Sequence, residues 1–279
     1  MDEPDSTAAC AACGGTGFVL VERKGQPLAR LCACRKRAAS PLPAEQALER
    51  ARVPRRFWNC DFEHFFDHSI DLVGAKKMAL RYAEEYPLED QGLLLMGSPG
   101  VGKTHLAVAI LRRVATEKGV TGLFCDAQDL LRRLQATFER SSGRGEEGVL
   151  EPVLSADLLV LDDLGGRLPT PWVEDTLLHI VTTRYNERRP MIITTNYFDA
   201  PPERGGARPS PSPAPASPAK KDAETRAATL TDRIGPRMRS RLYEMCRAVV
   251  IVADDFRVRV KNEGHHWPSQ NLGRPQGDA

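Results

Sequence analysis

Residues 97–104 have the pattern G-x-x-x-x-G-K-[ST], the strongest chemical signal in this sequence. Glycines allow a backbone loop to wrap around a phosphate group without a clashing Cβ, so that the loop N–H groups can point at the anion. The lysine brings a positive charge to the β- and γ-phosphates of a nucleotide, and the threonine offers a hydroxyl to Mg²⁺. The predicted contacting residues are Gly97, Ser98, Pro99, Gly100, Val101, Gly102, Lys103, Thr104 and the following His105.

The segments on either side of this loop are those that a phosphate-binding loop needs. Residues 93–96 are entirely apolar and predict a buried strand. Residues 105–118 have apolar side chains at helical spacing. A glycine-rich turn without a ligand could share the motif, but the order of strand, loop and helix favours a nucleotide site.

Two acids end another apolar strand, residues 158–161. An acid at the tip of a buried strand that neighbours a phosphate loop is a typical position for holding Mg²⁺. We therefore expect Asp162 to orient the water shell of Mg²⁺. We expect Asp163 to polarise the water that attacks the γ-phosphate, as general base or orienting group. A helix cap or an acidic turn is the alternative interpretation of this pair.

An amide and a group of arginines could complete such a site. Asn196 follows the apolar strand 191–193 and could hold the attacking water or a γ-phosphate oxygen, although asparagine also suits turns. Several arginines lie on a predicted helix over residues 230–245, where Arg237 and Arg241 share one face. A guanidinium group can stabilise charge on a transferring phosphoryl group. From the residues alone, a solvated basic helix is the alternative.

Four of the seven cysteines are clustered near the N-terminus as the pairs Cys10/Cys13 and Cys32/Cys34. Residues 18–21 and 28–31 lie between the pairs and predict a β-hairpin that brings them together. Four thiolates can bind one tetrahedral Zn²⁺, which would stabilise a unit too small to bury much core. The second pair has one intervening residue where two to four are usual, so free or redox-active thiols are the alternative.

Apolar strands alternate with helical segments through the rest of the chain. This order predicts a doubly wound α/β fold with a mostly parallel sheet. The predicted strands are residues 93–96, 122–125, 158–161, 191–193 and 249–252. The predicted helices are residues 69–86, 105–118, 171–184 and 230–245, and a further one capped by Asp126. Residues 141–148 are expected to form a flexible loop.

Composition divides the chain into four parts. We predict a small zinc-binding module in residues 1–40, a linker in 41–66, a phosphate-loop core in 67–261 and a flexible tail in 262–279. Residues 200–229 interrupt the core as a disordered insert, because they are rich in proline, alanine, serine and glycine. A tolerated insertion and a partner-binding segment are the two interpretations of the insert.

The overall composition is that of a soluble protein without a membrane segment. The chain has 279 residues, of which 41% are hydrophobic and 27% charged, and its N-terminus does not resemble a secretory signal. We therefore expect a cytoplasmic protein. The formal net charge is only +2, but residues 21–37 and 226–247 are basic. Such segments suit phosphate-bearing partners, or else form solvated surface.

Together these motifs resemble those of the bacterial DnaC-type and DnaI-type helicase loaders, within the AAA+ ATPases. The resemblance rests on the early cysteine pairs and on the segments GSPGVGKTHL, DLLVLDDLG, RYNERRPMIITTN and RIGPRMRSRLYEMC. It covers nearly the whole chain apart from the insert and the tail. It implies an ATPase core that uses ATP and Mg²⁺, and an N-terminal module, often Zn²⁺-binding, that contacts the replicative hexameric helicase.

The resemblance also implies roles for individual residues of the core. Lys103 and Thr104 correspond to the nucleotide and Mg²⁺ residues, and Asn196 to a polar sensor. Asp162 and Asp163 correspond to the acidic pair that ends the second nucleotide motif. The second acid is aspartate, where most AAA+ proteins have glutamate.

The arginine helix gains its interpretation from the same resemblance. It implies that Arg241 is an arginine finger that acts on a neighbouring subunit, with Arg237 as the alternative. It further implies self-assembly into an ATP-dependent oligomer that acts on single-stranded DNA. The insert lies between the sensor strand and the finger helix, where the family usually has a short connection.

Two other functions remain open at this point. One is a transposition helper ATPase of the IstB type, which shares the core but commonly lacks a cysteine module. The other is an ATP-gated scaffold that binds DNA or protein partners with little turnover, although its motifs for hydrolysis are complete.

Overall fold

The structure is a computed structural model that describes residues 11–14, 18–23, 26–31, 42–87, 91–138, 144–199 and 228–258. Among these residues, no helix has both the length and the hydropathy of a membrane-spanning segment. The predicted tail 262–279 and residues 200–227 of the predicted insert lie outside the described residues, as do Cys10, Cys32 and Cys34.

Two short strands form the predicted N-terminal hairpin. Strand β1 (Phe18–Arg23) pairs antiparallel with β2 (Gln26–Leu31). Both strands continue two residues nearer the turn than the apolar pattern predicts, because backbone pairing extends to Arg23 opposite Gln26. The hairpin is confirmed, whereas zinc binding stays a prediction. Within the described residues, no group of three His, Cys, Asp or Glu side chains is arranged to hold a metal ion.

A five-stranded parallel sheet forms the centre of the protein and confirms the predicted α/β fold. Its strands are β3 (Gly92–Gly97), β4 (Gly122–Asp126), β5 (Leu158–Leu164), β6 (Met191–Thr195) and β7 (Cys246–Ile251). They lie side by side in the order β4-β5-β6-β3-β7. The three central strands are buried along their length because helices cover both faces of the sheet, which explains their continuous apolar sequences.

The helices are divided between the two faces of the sheet. They are α1 (Ala44–Arg50), α2 (Ile70–Glu85), α3 (Lys103–Lys118), α4 (Ala127–Phe138), α5 (Arg144–Ser155), α6 (Pro171–Asn186) and α7 (Leu230–Met245). Helices α1 to α3 pack on one face and α4 to α7 on the other. The side chains of β3 alternate between the two helix layers. Leu93 and Leu95 face the first layer, and Leu94 and Met96 face the second.

The segment predicted to be a linker, residues 41–66, packs against the sheet from residue 42 onward. Leu48 is 2% exposed, and the ring of Phe57 lies 5.9 Å from that of Phe124. Phe124 N donates a 2.7 Å hydrogen bond to Ala51 O, so this connector covers the outer edge of β4. Aromatic residues of this connector, Phe57 among them, therefore pack against the core.

Two local expectations differ from the structure. Residues 144–148 of the predicted flexible loop belong to α5, because the apolar side chains that follow, including Val153, pack into the core and extend the helix. Helix α7 has the predicted bounds but is kinked at Gly235, whose φ is 76°, directly before Pro236. Arg237 and Arg241 both follow the kink and remain one turn apart.

Candidate active site

The carboxyl ends of β3, β6 and β5 bring the predicted site residues together. The phosphate-binding loop follows β3, Asn196 follows β6, and Asp162 and Asp163 lie near the end of β5. The acidic strand β5 does not pair directly with the phosphate-loop strand β3. In the structure β6 lies between them. The acids still reach the loop because Thr104 donates directly to Asp162, while Thr194 of β6 donates to the same carboxylate.

Lys103 is the first residue of α3 and its side chain is buried inside the loop. Its Nζ donates hydrogen bonds of 2.8 Å each to Gly97 O, Ser98 O and Asn196 Oδ1. Burial lowers the pKa of Lys103 to about 8, and the negative charge of Asp162 opposes this effect. A desolvated ammonium group gains stability from a neighbouring anion. Lys103 is therefore placed to bind phosphate.

Asp162 is buried at 6% exposure and accepts two hydroxyl hydrogen bonds on one oxygen. Thr104 Oγ1 donates to Asp162 Oδ1 over 2.9 Å, and Thr194 Oγ1 donates to the same oxygen over 2.6 Å. Burial raises the pKa of Asp162, although both hydroxyl groups oppose that rise. Carboxylate and hydroxyl oxygens are the hard ligands that Mg²⁺ prefers. Asp162 and Thr104 could hold this ion together.

Both carboxylate oxygens of Asp163 are oriented by amides. Asn196 Nδ2 donates to Oδ1 over 2.7 Å, and Gln128 Nε2 donates to Oδ2 over 3.1 Å. The backbone is held as well, since Asp163 has a φ of 56° and its N–H donates to Thr194 Oγ1 over 3.0 Å. Asn196 thus connects Lys103 to Asp163 through the two ends of one amide. This arrangement suits a carboxylate that positions a water molecule and accepts its proton.

Two glycines of the loop leave no room for side chains. Gly100 and Gly102 have φ values of 81° and 93°. A Cβ on Gly100 would lie 1.9 Å from the carboxylate of Asp255, and one on Gly102 would lie 2.6 Å from the ring of Phe65. Phe256 N also donates to Gly100 O over 3.2 Å. The loop is therefore enclosed by the connector on one side and by the segment after β7 on the other.

These features fit a Mg²⁺-nucleotide. Among the described residues, no carboxylate forms an ion pair with Lys103 and no cation forms one with Asp162. Burial makes each charge unfavourable by itself, as the two pKa shifts indicate. An anionic polyphosphate with a divalent cation supplies a counter-charge to both groups at once.

His105, the last residue predicted at the nucleotide site, turns its side chain to the connector. Its Nε2 donates to Asp61 O over 2.7 Å, and its ring meets Phe65 edge-on at 5.3 Å. Burial lowers the pKa of His105. Arg112, on the same helix, also donates to Asp61, over 3.3 Å. The side chain of His105 therefore links α3 to the connector.

The two finger candidates on α7 are in different surroundings. Arg241 Nη1 donates to Glu244 over 2.8 Å, and its guanidinium carbon lies 4.3 Å from the centroid of the Tyr185 ring. Tyr185 donates to the other carboxylate oxygen of Glu244. Arg237 is exposed, and within the described ranges no carboxylate pairs with it. No hydrogen bond joins either guanidinium group to a described residue of the phosphate loop.

Sequence reasoning does not identify three residues that the fold adds to this edge. Thr194 and Gln128 contact the acidic pair, and Arg233 lines a small cavity together with Gln128 and Asp163. The guanidinium carbon of Arg233 lies 4.5 Å from the centroid of the Tyr197 ring. A polar residue in the first turn of α4, two positions after strand β4, is the one signal that could have indicated Gln128.

A profile of the IstB-like ATP-binding proteins matches residues 41–199, which contain the phosphate loop, both acids and Asn196. The chain belongs to this family. Among its relatives, the replicative helicase loader DnaC of Escherichia coli (strain K12) is 28% identical over 181 residues, which is 65% of this chain and 73% of DnaC. An insertion sequence ATP-binding protein of Sinorhizobium fredii is 29% identical over 184 residues, which is 63% of this chain and 58% of that protein.

Solved structures agree with this membership. The crystal structure of the DnaC helicase loader is 32% identical with a TM-score of 0.55, and the match covers 71% of this chain and 99% of that one. The replication initiator DnaA bound to AMPPCP and single-stranded DNA is 16% identical with a TM-score of 0.54, a likeness in fold alone that covers 79% of this chain and 59% of that one. The resemblance to DnaC-type proteins and the parallel α/β fold of the core are confirmed.

Proposed function

We propose that this protein is an ATP-dependent loader that places a replicative hexameric helicase on single-stranded DNA. The observation that carries the proposal is the similarity to the DnaC helicase loader structure, because it is 32% identical and spans 99% of that chain. The family match over residues 41–199 spans the phosphate loop, both acids and Asn196, which supports the proposal. We expect the protein to act in the cytoplasm, where it would meet the helicase.

In the proposed reaction, the chain transfers the γ-phosphoryl group of ATP to water. Lys103 holds the phosphates, and Thr104 and Asp162 hold Mg²⁺, which neutralises charge on the phosphate oxygens when bound. Asp163 orients the attacking water and accepts its proton, because Asn196 and Gln128 fix its carboxylate group. Asn196 also bonds to Lys103, so binding and hydrolysis share one amide.

We further propose that turnover depends on self-assembly. The α7 guanidinium groups make no hydrogen bond to a described residue of their own phosphate loop, so a finger from α7 would act on a neighbouring subunit. Arg241 would have to exchange Glu244 for phosphate, which is feasible because a half-exposed ion pair contributes only about 0–1 kcal/mol. Arg237 needs no such exchange. The predicted Zn²⁺ module, residues 1–40, would contact the helicase.

A capture experiment tests the proposed function. Tagged wild-type protein and the Lys103→Ala variant are used to capture partners from the native cytosol with ATP and Mg²⁺ present, and bound proteins are identified by mass spectrometry. We expect the replicative helicase with wild-type protein and much less with Lys103→Ala, because assembly should require bound ATP. A transposase in place of the helicase would contradict the loader.

A transposition helper ATPase is the second candidate function, and one observation favours it. The insertion sequence ATP-binding protein of Sinorhizobium fredii is 29% identical, so identity alone does not separate it from E. coli DnaC at 28%. The two functions also differ in what hydrolysis would respond to. A loader should be stimulated by its helicase with single-stranded DNA, whereas a transposition helper should respond to duplex DNA with a transposase.

A further inference from the structure

The outer edge of β4 is lined by exposed arginines that come from separate parts of the chain. The hydrogen bond from Phe124 N to Ala51 O holds the end of α1 against this edge. The ring contact of Phe57 with Phe124 holds the following turn, Arg55–Phe57, against it as well. Four exposed arginines belong to this fastened segment: Arg50, Arg52, Arg55 and Arg56.

A fifth arginine reaches the same edge from the opposite face of the sheet. Arg133 is exposed on α4. Burial raises the pKa of the Cys125 thiol in β4 to about 11, and the positive charges of Arg133 and Arg52 oppose that rise. Arg133 lies on α4, which begins directly after β4 and packs against it, so its charge and that of Arg52 act on one β4 residue from two sides, together with those of Asp129 and Arg184. The five arginines form one surface, which we call the β4-edge surface.

The arginines of the β4-edge surface lack the partners that other arginines have. Elsewhere, carboxylates pair with Arg81, Arg112, Arg113, Arg239 and Arg241. In the part of the chain that the structure describes, no arginine of the β4-edge surface has such an ion pair. The five arginines outnumber the acids of the same segments, which are Glu45, Glu49, Asp126 and Asp129. Unpaired cations in excess attract a polyanion, because each contact releases counterions from it.

Two arginines of this surface are also held over aromatic rings. The guanidinium carbon of Arg56 lies 4.6 Å from the centroid of the Phe57 ring, and that of Arg55 lies 5.2 Å from the Trp58 ring. A planar guanidinium group held in this way can stack on a nucleobase that is accessible. Bases are accessible in a single strand, whereas in a duplex they are stacked inside.

We infer that the β4-edge surface binds single-stranded DNA, with Arg50, Arg52 and Arg133 on backbone phosphates and Arg55 and Arg56 able to stack on bases. The inference deepens the proposed function, because it names where a loader of this kind would hold the strand. The surface lies on the outer edge of the sheet, apart from the nucleotide site at the carboxyl ends of the strands. Binding there requires neither ATP hydrolysis nor the helicase.

The test measures fluorescence anisotropy of a labelled oligo(dT) of about 25 nucleotides with the full-length protein, over roughly 50 to 200 mM salt. The test variant combines Arg52→Gln, Arg56→Gln and Arg133→Gln. The matched control combines Lys77→Gln, Arg188→Gln and Arg247→Gln, which removes the same charge from exposed positions elsewhere. Circular dichroism and ATP hydrolysis without DNA establish that both variants are folded.

We expect the test variant to bind at least ~10-fold more weakly than wild type, and the control within about 2-fold of it. The slope of log K against log salt should fall by about 1.4 in the test variant, since it removes the two proposed phosphate contacts of Arg52 and Arg133 and each contact to a single strand contributes about 0.7. Equal slopes and affinities in the two variants would overturn the inference. If the triple variant does not fold, Arg133→Gln alone should still lower the slope by about 0.7.

Two further measurements distinguish single-stranded DNA from other ligands of this surface. They also distinguish failure of this inference from failure of the proposed function. The same sequence is also tested as a duplex. If wild-type protein binds the duplex more tightly than the single strand, and the test variant loses as much affinity for the duplex as for the single strand, the surface is a duplex site and the inference is wrong. If DNA binding is unchanged but helicase capture is lost, the surface binds protein. Failure of wild-type protein to bind DNA would overturn the inference while leaving ATP binding and helicase capture intact, so the two failures are distinguishable.

Discussion

The amide of Asn196 donates to Asp163 over 2.7 Å and so joins the carboxyl ends of β6 and β5. The oxygen of the same amide accepts a hydrogen bond from Lys103 over 2.8 Å. One neutral side chain therefore orients both the phosphate-binding cation and the proposed base. Since phosphate would compete with Asn196 for the lysine, we expect nucleotide binding to alter the position of the base.

Affinity for ATP should decrease as the pH rises above about 8. Burial lowers the pKa of Lys103 to about 8, so the free protein loses this charge above that pH. Phosphate favours the protonated form, and binding should therefore weaken by up to ~10-fold per pH unit above 8 and be nearly constant below it. Titration calorimetry across this range checks the profile. Arginine stays protonated over this range, so the Lys103→Arg variant should show an ATP affinity that does not change with pH, whatever its absolute value. A wild-type affinity that does not change with pH would contradict the prediction.

Replacing the proposed base should separate binding from hydrolysis. Asp163→Asn should lower ATP turnover by ~10²-fold or more, because the amide cannot accept the proton of the attacking water. ATP affinity should stay within about 3-fold, since Lys103 and Thr104 remain in place. Asp157→Asn is the control, as Asp157 precedes the same strand at its other end and accepts from Thr121 N over 3.0 Å. Equal turnover in both variants would remove Asp163 from the mechanism.

The finger on α7 should act between subunits. Arg241→Ala and Arg237→Ala should both bind ATP, and the variant that lacks the finger should lose ~10³-fold in hydrolysis. Mixing that variant with Lys103→Ala should restore activity, because one subunit then offers an intact pocket and the other an intact finger. Crosslinking with ATP present verifies that the two variants assemble together. Normal hydrolysis by both arginine variants, or no recovery in a mixed assembly, would show that α7 supplies no finger.

The proline-rich insert should be dispensable for ATP hydrolysis. Leu230 N donates to Phe198 O over 2.8 Å, so the chain leaves and re-enters the core at one place. Arg239 pairs with Asp199, and Thr229 caps α7, which secures both ends of the connection. Replacing residues 203–220 by a short Gly-Ser linker should therefore leave turnover within about 2-fold of wild type.

The control for that deletion keeps the insert at full length and removes the ion pair between Arg239 and Asp199 beside it. Arg239→Ala in the full-length chain should lower the thermal midpoint of unfolding, as followed by circular dichroism. A large loss of hydrolysis in the shortened protein would mean that the insert itself positions the finger helix.

The N-terminal cysteines should bind one Zn²⁺ per chain. Protein purified under reducing, chelator-free conditions should contain about one zinc by elemental analysis. Cys32→Ser should abolish it, because a structural site needs all four ligands. Cys125→Ser, which changes a partly buried thiol of β4, serves as control and should retain the metal. Metal-free wild-type protein would favour free thiols at Cys10, Cys13, Cys32 and Cys34.

Local patterns were sufficient for the elements and for the types of residue in the site. The bounds of α7 and the presence of the hairpin follow from apolar spacing and turn residues, because these depend on neighbours in sequence. Likewise the phosphate loop needs its glycines at fixed positions, since a Cβ at Gly100 or Gly102 would collide with another part of the chain. This steric requirement fixes glycine at these positions, so the loop can be recognised from the sequence alone.

Strand order and long-range contacts were decided only by the tertiary structure. The apolar runs of β3, β5 and β6 look alike, so nothing in them reveals that β6 lies between β3 and β5 or that Thr194 of β6 bonds to Asp162. Gln128 and Arg52 carry no motif, and each acquires a partner or a neighbouring charge only after distant segments pack together. A buried charge reports its environment through its pKa, and that environment is made by residues from several strands at once.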